Sequence, residues 1–118
     1  MKTYQGSCHC GDIAFSVSLE PGPAAECNCS MCSRKGLLLW FAQREALQLT
    51  TPEENIASYT FNRRVIHHHF CPRCGCEPFA MGISPKTGEP MVAVNVRCLE
   101  GVDLDSLERK PFDGRHLL

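Results

Sequence analysis

The sequence predicts a mainly β fold with antiparallel strands and little helix, formed by residues 1–118 as a single domain. Short runs rich in β-branched and aromatic residues alternate with the turn sequences TPEEN, FNRR and SPKTGEP. Only GVDLDSLERK, at 101–110, has the apolar spacing of a helical turn, with Asp103 as its expected cap. Proline and glycine are scattered and form no linker, and 118 residues suffice for one domain.

The predicted strands follow in chain order. In GDIAFSVSLE, at 11–20, apolar residues alternate with small or polar ones, which is the period of a half-buried strand, and PGP then ends it. LLLWFA, at 37–42, is a continuous apolar run, and its short length favours a buried strand over a helix. Further strands are expected over 56–61, 64–70 and 90–96.

Charge and hydropathy exclude several classes of partner. The formal net charge is −1, from 12 Lys and Arg against 13 Asp and Glu, with no block of like charge that would bind nucleic acid. The opening MKTYQGSCHC lacks the apolar run of a secretory signal, and LLLWFA is too short to span a bilayer. We therefore expect a cytoplasmic protein that binds neither nucleic acid nor membrane. The oligomeric state is left open.

Nine cysteines are the most informative feature of the composition. A domain of this length does not need disulfides to fold, and disulfides do not persist in a reducing cytosol, so clustered thiols there hold metal or take part in catalysis. They group as CHC at 8–10, CNCSMC at 27–32, CPRCGC at 71–76 and a separate Cys98. A disulfide or redox role for the CxCxxC segment remains an alternative.

The CPRCG segment predicts half of a closed zinc site. A CxxC at a hairpin tip lets backbone N–H groups point at both sulfurs, and Gly75 can adopt the positive φ that closes the loop. Cys8 and Cys10 are the natural second pair, because residues i and i+2 of an extended strand face the same side. Spacing thus predicts a four-thiolate structural zinc site of Cys8, Cys10, Cys71 and Cys74.

Three thiols remain in one loop, Cys27, Cys29 and Cys32. Catalytic zinc sites typically present three protein ligands and one open position. With three thiolates the ion activates water poorly, but it suits an incoming thiol, which it would hold as a nucleophilic thiolate. The alternative is a second structural site closed by Cys76, Cys98 or a nearby histidine.

The histidines receive mainly structural interpretations. In a strand, at most two of His67, His68 and His69 share a face, so we expect them to hydrogen-bond or meet solvent, with a role beside the zinc sites as the alternative. His9, between two predicted ligands, is expected to be exposed or to support them.

Four apolar residues are assigned to the core, namely Trp40, Phe41, Cys76 and Cys98. Arg34 and Lys35 follow the third thiol of the loop directly. They would be suited to a carboxylate-bearing substrate beside an open coordination position, although a solvated basic turn is the favoured explanation of both.

Taken together, GSCHCG at 6–11, CNCSMC followed by RKG, FCPRCG at 70–75 and NVRCLEGVDL at 95–104 resemble the glutathione-dependent formaldehyde-activating enzyme family over nearly the whole chain. The resemblance implies a β-tent fold of antiparallel sheets around zinc. It also implies two zinc ions per chain. The structural ion would lie on Cys8, Cys10, Cys71 and Cys74, and the catalytic, possibly labile one on Cys27, Cys29 and Cys32.

The activity implied by the resemblance is the reversible joining of glutathione to formaldehyde, grouped with the carbon–sulfur lyases. The implied partners are glutathione or another small thiol and formaldehyde or another small aldehyde. Cys27, Cys29 and Cys32 would carry the catalytic ion, and no glutathione-binding residue is implied by any motif. The alternative function is a non-catalytic zinc-binding module that acts in partner binding or as a carrier.

Overall fold

The computed structural model describes residues 1–61 and 64–117. Within them the chain forms ten strands and two short helices. The strands are β1 (Lys2–Ser7), β2 (Ala14–Leu19), β3 (Ala24–Cys27), β4 (Leu38–Gln43), β5 (Leu47–Leu49), β6 (Ala57–Tyr59), β7 (His67–Phe70), β8 (Phe79–Ile83), β9 (Pro90–Asn95) and β10 (Arg109–Phe112). The helices are α1 (Ser30–Lys35) and α2 (Gly114–Leu117), and single 3₁₀ turns cover Arg44–Ala46, Glu53–Asn55 and Val96–Cys98.

The strands form two sheets, and the predicted mainly β, antiparallel fold is confirmed. One sheet has the order β1-β2-β5, and the other has the order β10-β3-β4-β9-β8-β7-β6. The described strand pairs are antiparallel except for β10, which runs parallel to β3. This parallel pair brings the last strand beside the strand that leads into the three-cysteine loop.

The core lies where the small sheet packs against the larger one. Phe15, Val17 and Leu19 are buried, as the alternation in β2 predicts, and Phe15 meets Phe79 of the larger sheet edge-to-face at 5.4 Å between ring centroids. Gly6 of β1 is required there, because a Cβ on it would lie 2.5 Å from the ring of Phe15. The two sheets are therefore fixed in close contact.

Each predicted strand lies near its expected position, although most are shorter than predicted, and β1, β3, β5, β8 and β10 were not predicted from the sequence. The run at 56–61 contributes only β6, and the run at 64–70 becomes strand only from His67 to Phe70. The predicted strand at 90–96 ends at Asn95, whose side chain caps the following 3₁₀ turn. The FNRR turn includes residues 62 and 63, which lie outside the described residues.

The helical turn predicted within 101–110 is present only as a hydrogen-bonded turn and forms no helix. That segment forms an isolated turn at 104–106 and then enters β10. Asp103 nevertheless has the capping contact, since its Oδ1 accepts from the Asp105 N–H at 3.2 Å. Residues 109–112 pair with β3 instead of continuing a helix, because the two leucines at 104 and 107 are too short an apolar pattern to stabilise one.

The core assignment is correct for Trp40 and wrong for Phe41. Trp40 is buried, packs against Tyr4 with tilted rings whose centroids are 5.4 Å apart, and donates its indole N–H to the Gly22 carbonyl at 2.8 Å. Phe41 points to the other side of β4, is 44% exposed and packs on Phe112 at 5.8 Å. Both faces of this run are thus buried as far as Trp40, and the face that carries Leu39 becomes exposed at Phe41.

Within the described ranges, neither helix has the length or the apolar character needed to cross a membrane.

Candidate metal centres

The first cluster brings together the four cysteines that spacing assigns to one site. The Sγ atoms of Cys8, Cys10, Cys71 and Cys74 all lie within 4.8 Å of one another. Cys10 Sγ is 3.7 Å from Cys8 Sγ and 3.5 Å from Cys71 Sγ. Tetrahedral zinc with bonds of about 2.3 Å separates its sulfurs by about 3.8 Å, so these thiols fit that ion.

The CPRCGC segment forms the predicted knuckle. Cys71 N–H donates to the Cys76 carbonyl at 2.9 Å, Gly75 N–H donates to the Cys71 carbonyl at 2.7 Å, and Gly75 has φ of 83°. The Cys74 N–H points at Cys71 Sγ at 3.5 Å. The pKa of Cys74 is lowered to about 5, because the N–H groups of Cys76 and Cys10 donate to its sulfur.

The extended conformation predicted for CHC is wrong. Residues 9–10 form a turn after β1, with Gly11 N–H directed at the Cys8 carbonyl at 3.3 Å and Gly11 at φ of 86°. Side chains i and i+2 of a strand are about 6.6 Å apart, too far for two ligands of one ion. The turn closes that gap, and Cys8 Sγ also accepts from the Ile13 N–H at 3.3 Å. His9 is exposed, as expected.

The second cluster combines the end of a strand with the start of a helix. Cys27 ends β3, Cys29 is the N-cap of α1, and Cys32 lies in its first turn, with all three Sγ atoms within 4.8 Å of one another. Cys29 Sγ accepts from the Cys32 N–H at 3.3 Å, as a capping side chain does. Gly36 ends the helix at φ of 67°.

The thiols of the second cluster share protons unequally. The pKa of Cys27 is lowered to about 6, because Cys32 donates to its sulfur and the N–H groups of Cys29 and Gly114 also donate to it. The hydrogen bond that Cys32 donates to Cys27, together with burial, raises the pKa of Cys32. Thiolate is the form that binds metal, so one of the three sulfurs is prepared for it.

A pocket of about 430 Å³ opens beside the second cluster. Cys27 and Cys32 form part of its wall, and Glu26 and Arg97 place opposite charges on its lining. Arg97 is held by a bond from its Nε to the Gly36 carbonyl at 3.2 Å, just after α1. A small molecule in this pocket would have both sulfurs and both charges within reach.

Beyond its three cysteines, the second cluster includes none of the other candidate ligands among the described residues. Cys76 and Cys98 are half-buried, and Cys76 packs against the main core. Burial raises the pKa of Cys98 to about 12, and Asn95 Nδ2 lies 3.6 Å from its sulfur. The core interpretation is therefore correct only in part: Cys76 lies at the edge of the core, and Cys98 belongs to neither group of buried residues in the described part of the chain.

The histidine run alternates as expected. His68 is buried and its Nδ1 lies 2.8 Å from Glu77 Oε2, whereas His67 is exposed. His69 is half-buried, with Nδ1 2.8 Å from Ser58 Oγ, and burial lowers its pKa. Each described histidine lies outside both cysteine clusters.

A buried carboxylate connects the two clusters. Glu77, which follows the knuckle, is 1% exposed in its side chain and accepts from Lys35 Nζ at the end of α1 at 2.8 Å. Its other oxygen faces His68. Sequence reasoning missed this group, since its partners are 42 and 9 residues away in the chain. Arg34 is exposed and bonds the Ser30 carbonyl of its own helix, so it is a helix-surface residue.

The fold and the two clusters define a mainly β protein whose thiol sites suit zinc. The chain belongs to the glutathione-dependent formaldehyde-activating enzyme family, whose sequence model matches residues 3–111. It is also similar to a protein from Rhodobacter sphaeroides of known crystal structure. The two are 32% identical, with a TM-score of 0.76, over 90% of this chain and 99% of that chain.

Proposed function

We propose that this protein is a zinc-dependent carbon–sulfur lyase that reversibly joins glutathione, or another small thiol, to formaldehyde or another small aldehyde. Family membership supports this reaction class. The observation that carries the proposal is the three-cysteine cluster at the wall of an open pocket. We further propose that residues 1–118 act as one domain in the cytoplasm.

The two clusters have different roles in this proposal. Cys8, Cys10, Cys71 and Cys74 surround their centre from two distant parts of the chain, so zinc there would act as a cross-link and add to folding free energy. Cys27, Cys29 and Cys32 would supply three ligands and would leave the fourth ligand position without a protein group, beside a pocket that Cys27 and Cys32 line. Zinc, when bound by these three, would hold an incoming thiol as its thiolate near neutral pH.

The pocket lining suits a zwitterionic thiol. Glutathione carries two carboxylates and one ammonium group, and Arg97 and Glu26 offer one charge of each sign beside Cys27 and Cys32. Arg97 would bind a carboxylate, and Glu26 would bind the ammonium group. These contacts would position the sulfur at the cluster and orient it toward the aldehyde.

The reaction is an addition that conserves all atoms. The thiolate sulfur attacks the aldehyde carbon, a carbon–sulfur bond forms, and the π electron pair of the carbonyl moves to its oxygen. The proton that left the thiol ends on that oxygen, giving the hydroxymethyl thioether, and the reverse step restores both reactants. Because thiols and formaldehyde also combine unaided, positioning and thiolate formation are the contributions required of the protein.

Exchange spectroscopy by NMR tests this proposal. With the zinc-loaded full chain, glutathione and formaldehyde at equilibrium, the exchange rate between free and hydroxymethylated glutathione should increase in proportion to protein concentration. Cys29→Ser, loaded in the same way, should remove the increase while the protein stays folded. An exchange rate equal to that without protein would contradict the enzyme proposal and favour a non-catalytic zinc module.

A further inference from the structure

A segment beyond the family match closes one side of the second cluster. Residues 112–116, here called the C-terminal segment, begin at Phe112, the last residue of β10, which pairs in parallel register with Cys27. Phe112 packs against the group of buried residues that contains Cys27 and Cys32. The family match ends at residue 111, so this wall of the cluster is not part of the matched region.

Asn28 makes three hydrogen bonds to this segment. Its backbone N–H donates to the Phe112 carbonyl at 3.1 Å, and its Nδ2 donates to Asp113 Oδ1 at 2.8 Å. Its Oδ1 accepts from the Arg115 N–H at 2.8 Å. Asn28 therefore uses its backbone donor, a side-chain donor and its side-chain acceptor on one short stretch of chain.

These contacts act on the loop that carries the thiols. Asn28 stands between Cys27 and Cys29 in sequence, so fixing it limits the positions of both sulfurs. Gly114 of the C-terminal segment is buried, and its N–H donates to the sulfur of Cys27. Asp113 is itself held by His116, whose Nδ1 lies 2.9 Å from both carboxylate oxygens.

We propose that Asn28 is a positioning residue that locks the Cys27–Cys29 loop to the C-terminal segment and thereby slows metal release from the second cluster. The inference rests on the proposed function, because it assumes that this cluster binds zinc. Groups that orient metal ligands typically change metal affinity by about 10- to 100-fold when they are removed. The effect on metal retention should be large in a loop with only three ligands, since no fourth protein ligand holds the ion.

Chelator-driven zinc release measures this effect directly. The zinc-loaded full chain is mixed with excess 4-(2-pyridylazo)resorcinol, and release is followed by absorbance as a fast phase from the second cluster and a slow phase from the first. Asn28→Ala should accelerate the fast phase about tenfold and leave the slow phase unchanged. Asp113→Ala should act in the same direction and gives a second measurement if Asn28→Ala does not fold.

Two further variants separate positioning from a general structural effect. Asp113→Asn keeps an oxygen that accepts from Asn28 Nδ2, so its fast phase should stay near that of the unmodified protein. Asn55→Ala is the matched control, since Asn55 Nδ2 donates to the Asp12 carbonyl at 2.7 Å, away from the second cluster. It should leave the fast phase unchanged.

The possible failures are distinguishable. Two release phases in the unmodified protein with an unchanged fast phase in Asn28→Ala and Asp113→Ala would overturn the role of Asn28 alone. Equal acceleration of both phases would also overturn it, because the effect would then be loss of general stability. A zinc-loaded protein that contains only one zinc per chain by elemental analysis, before the chelator is added, would overturn the proposed function together with this inference.

Discussion

Lys35 and Glu77 form a salt bridge of 2.8 Å that ties the end of α1 to the short segment between the knuckle and β8. The Glu77 carboxylate is almost fully buried and also faces the buried His68. The Glu77 side chain thus joins α1, which carries Cys32 of the second cluster, to the segment that follows Cys71 and Cys74 of the first cluster.

Removing this carboxylate should destabilise the protein. Glu77→Ala leaves His68 and Lys35 without their shared acceptor, and breaking a buried pair typically costs about 3–5 kcal/mol. Urea unfolding of the zinc-loaded protein measures the loss. Glu20→Ala is the control, because Glu20 pairs with the amino terminus at an exposed site and should change the midpoint little. Equal midpoints for both variants would show that the Glu77 network adds no stability.

Single substitutions should separate the two clusters. Cys71→Ser removes a ligand of the closed site, where zinc binding is folding free energy, and should cost several kcal/mol in unfolding experiments. Cys29→Ser should leave the fold intact, shown by an unchanged far-UV circular dichroism spectrum, and should abolish glutathione binding. If Cys29→Ser unfolds the protein as Cys71→Ser does, the second cluster is structural.

The sequence predicted which cysteines lie together but not the backbone that brings them together. Spacing identified both groups of cysteines, and Gly75 identified the knuckle turn, because a CxxC with a following glycine is a local pattern. The turn at Cys8 and Cys10 was missed, since the same spacing fits a strand on one face. Helix α1 was missed as well, because a cysteine is an unusual N-cap and the helix has only six residues.

Long-range contacts explain the other differences. Asn28 bonds to Asp113, 85 positions further along the chain, and Lys35 bonds to Glu77, 42 positions further along. No local sequence pattern predicts such pairs. The parallel pairing of β10 with β3 has the same cause. Phe41 was assigned to the core because LLLWFA is apolar throughout, yet the face of β4 that buries Leu39 is exposed at Phe41, which meets only Phe112 among the aromatic rings of the described residues.

The thiol of Cys27 should ionise at low pH in metal-free protein. Its pKa falls from an ordinary 9.0 to about 6, first because Cys32 donates to its sulfur. The rate of alkylation of Cys27 by iodoacetamide can be followed by peptide mass spectrometry. Plotted against pH, this rate should have its midpoint near pH 6 and should fall as the pH drops below that value. Cys32→Ala should move the midpoint toward 9, and Cys32→Ser, which keeps a donor, should move it less. A midpoint near 9 in the unmodified protein would contradict the proton sharing.

Arg97 should favour thiols that carry a carboxylate. Arg97→Ala should weaken glutathione binding about fivefold, the scale of a partly exposed ion pair, and should leave a neutral thiol such as 2-mercaptoethanol unaffected. Isothermal titration of the zinc-loaded protein compares the two ligands. Arg73→Ala is the matched control, since Arg73 pairs with Asp12 at 3.5 Å beside the first cluster. Equal weakening of both thiols by Arg97→Ala would argue against a carboxylate contact.

The zinc content per chain tests the central claim most directly. Freshly prepared protein is analysed by elemental analysis under zinc-replete conditions, before and after equilibration with glutathione and desalting. The two clusters predict two zinc ions per chain, of which the ion on Cys27, Cys29 and Cys32 responds to glutathione and the other does not. A protein that never binds more than one zinc would contradict the two-centre account, and two ions that both ignore glutathione would contradict an open thiol-binding centre.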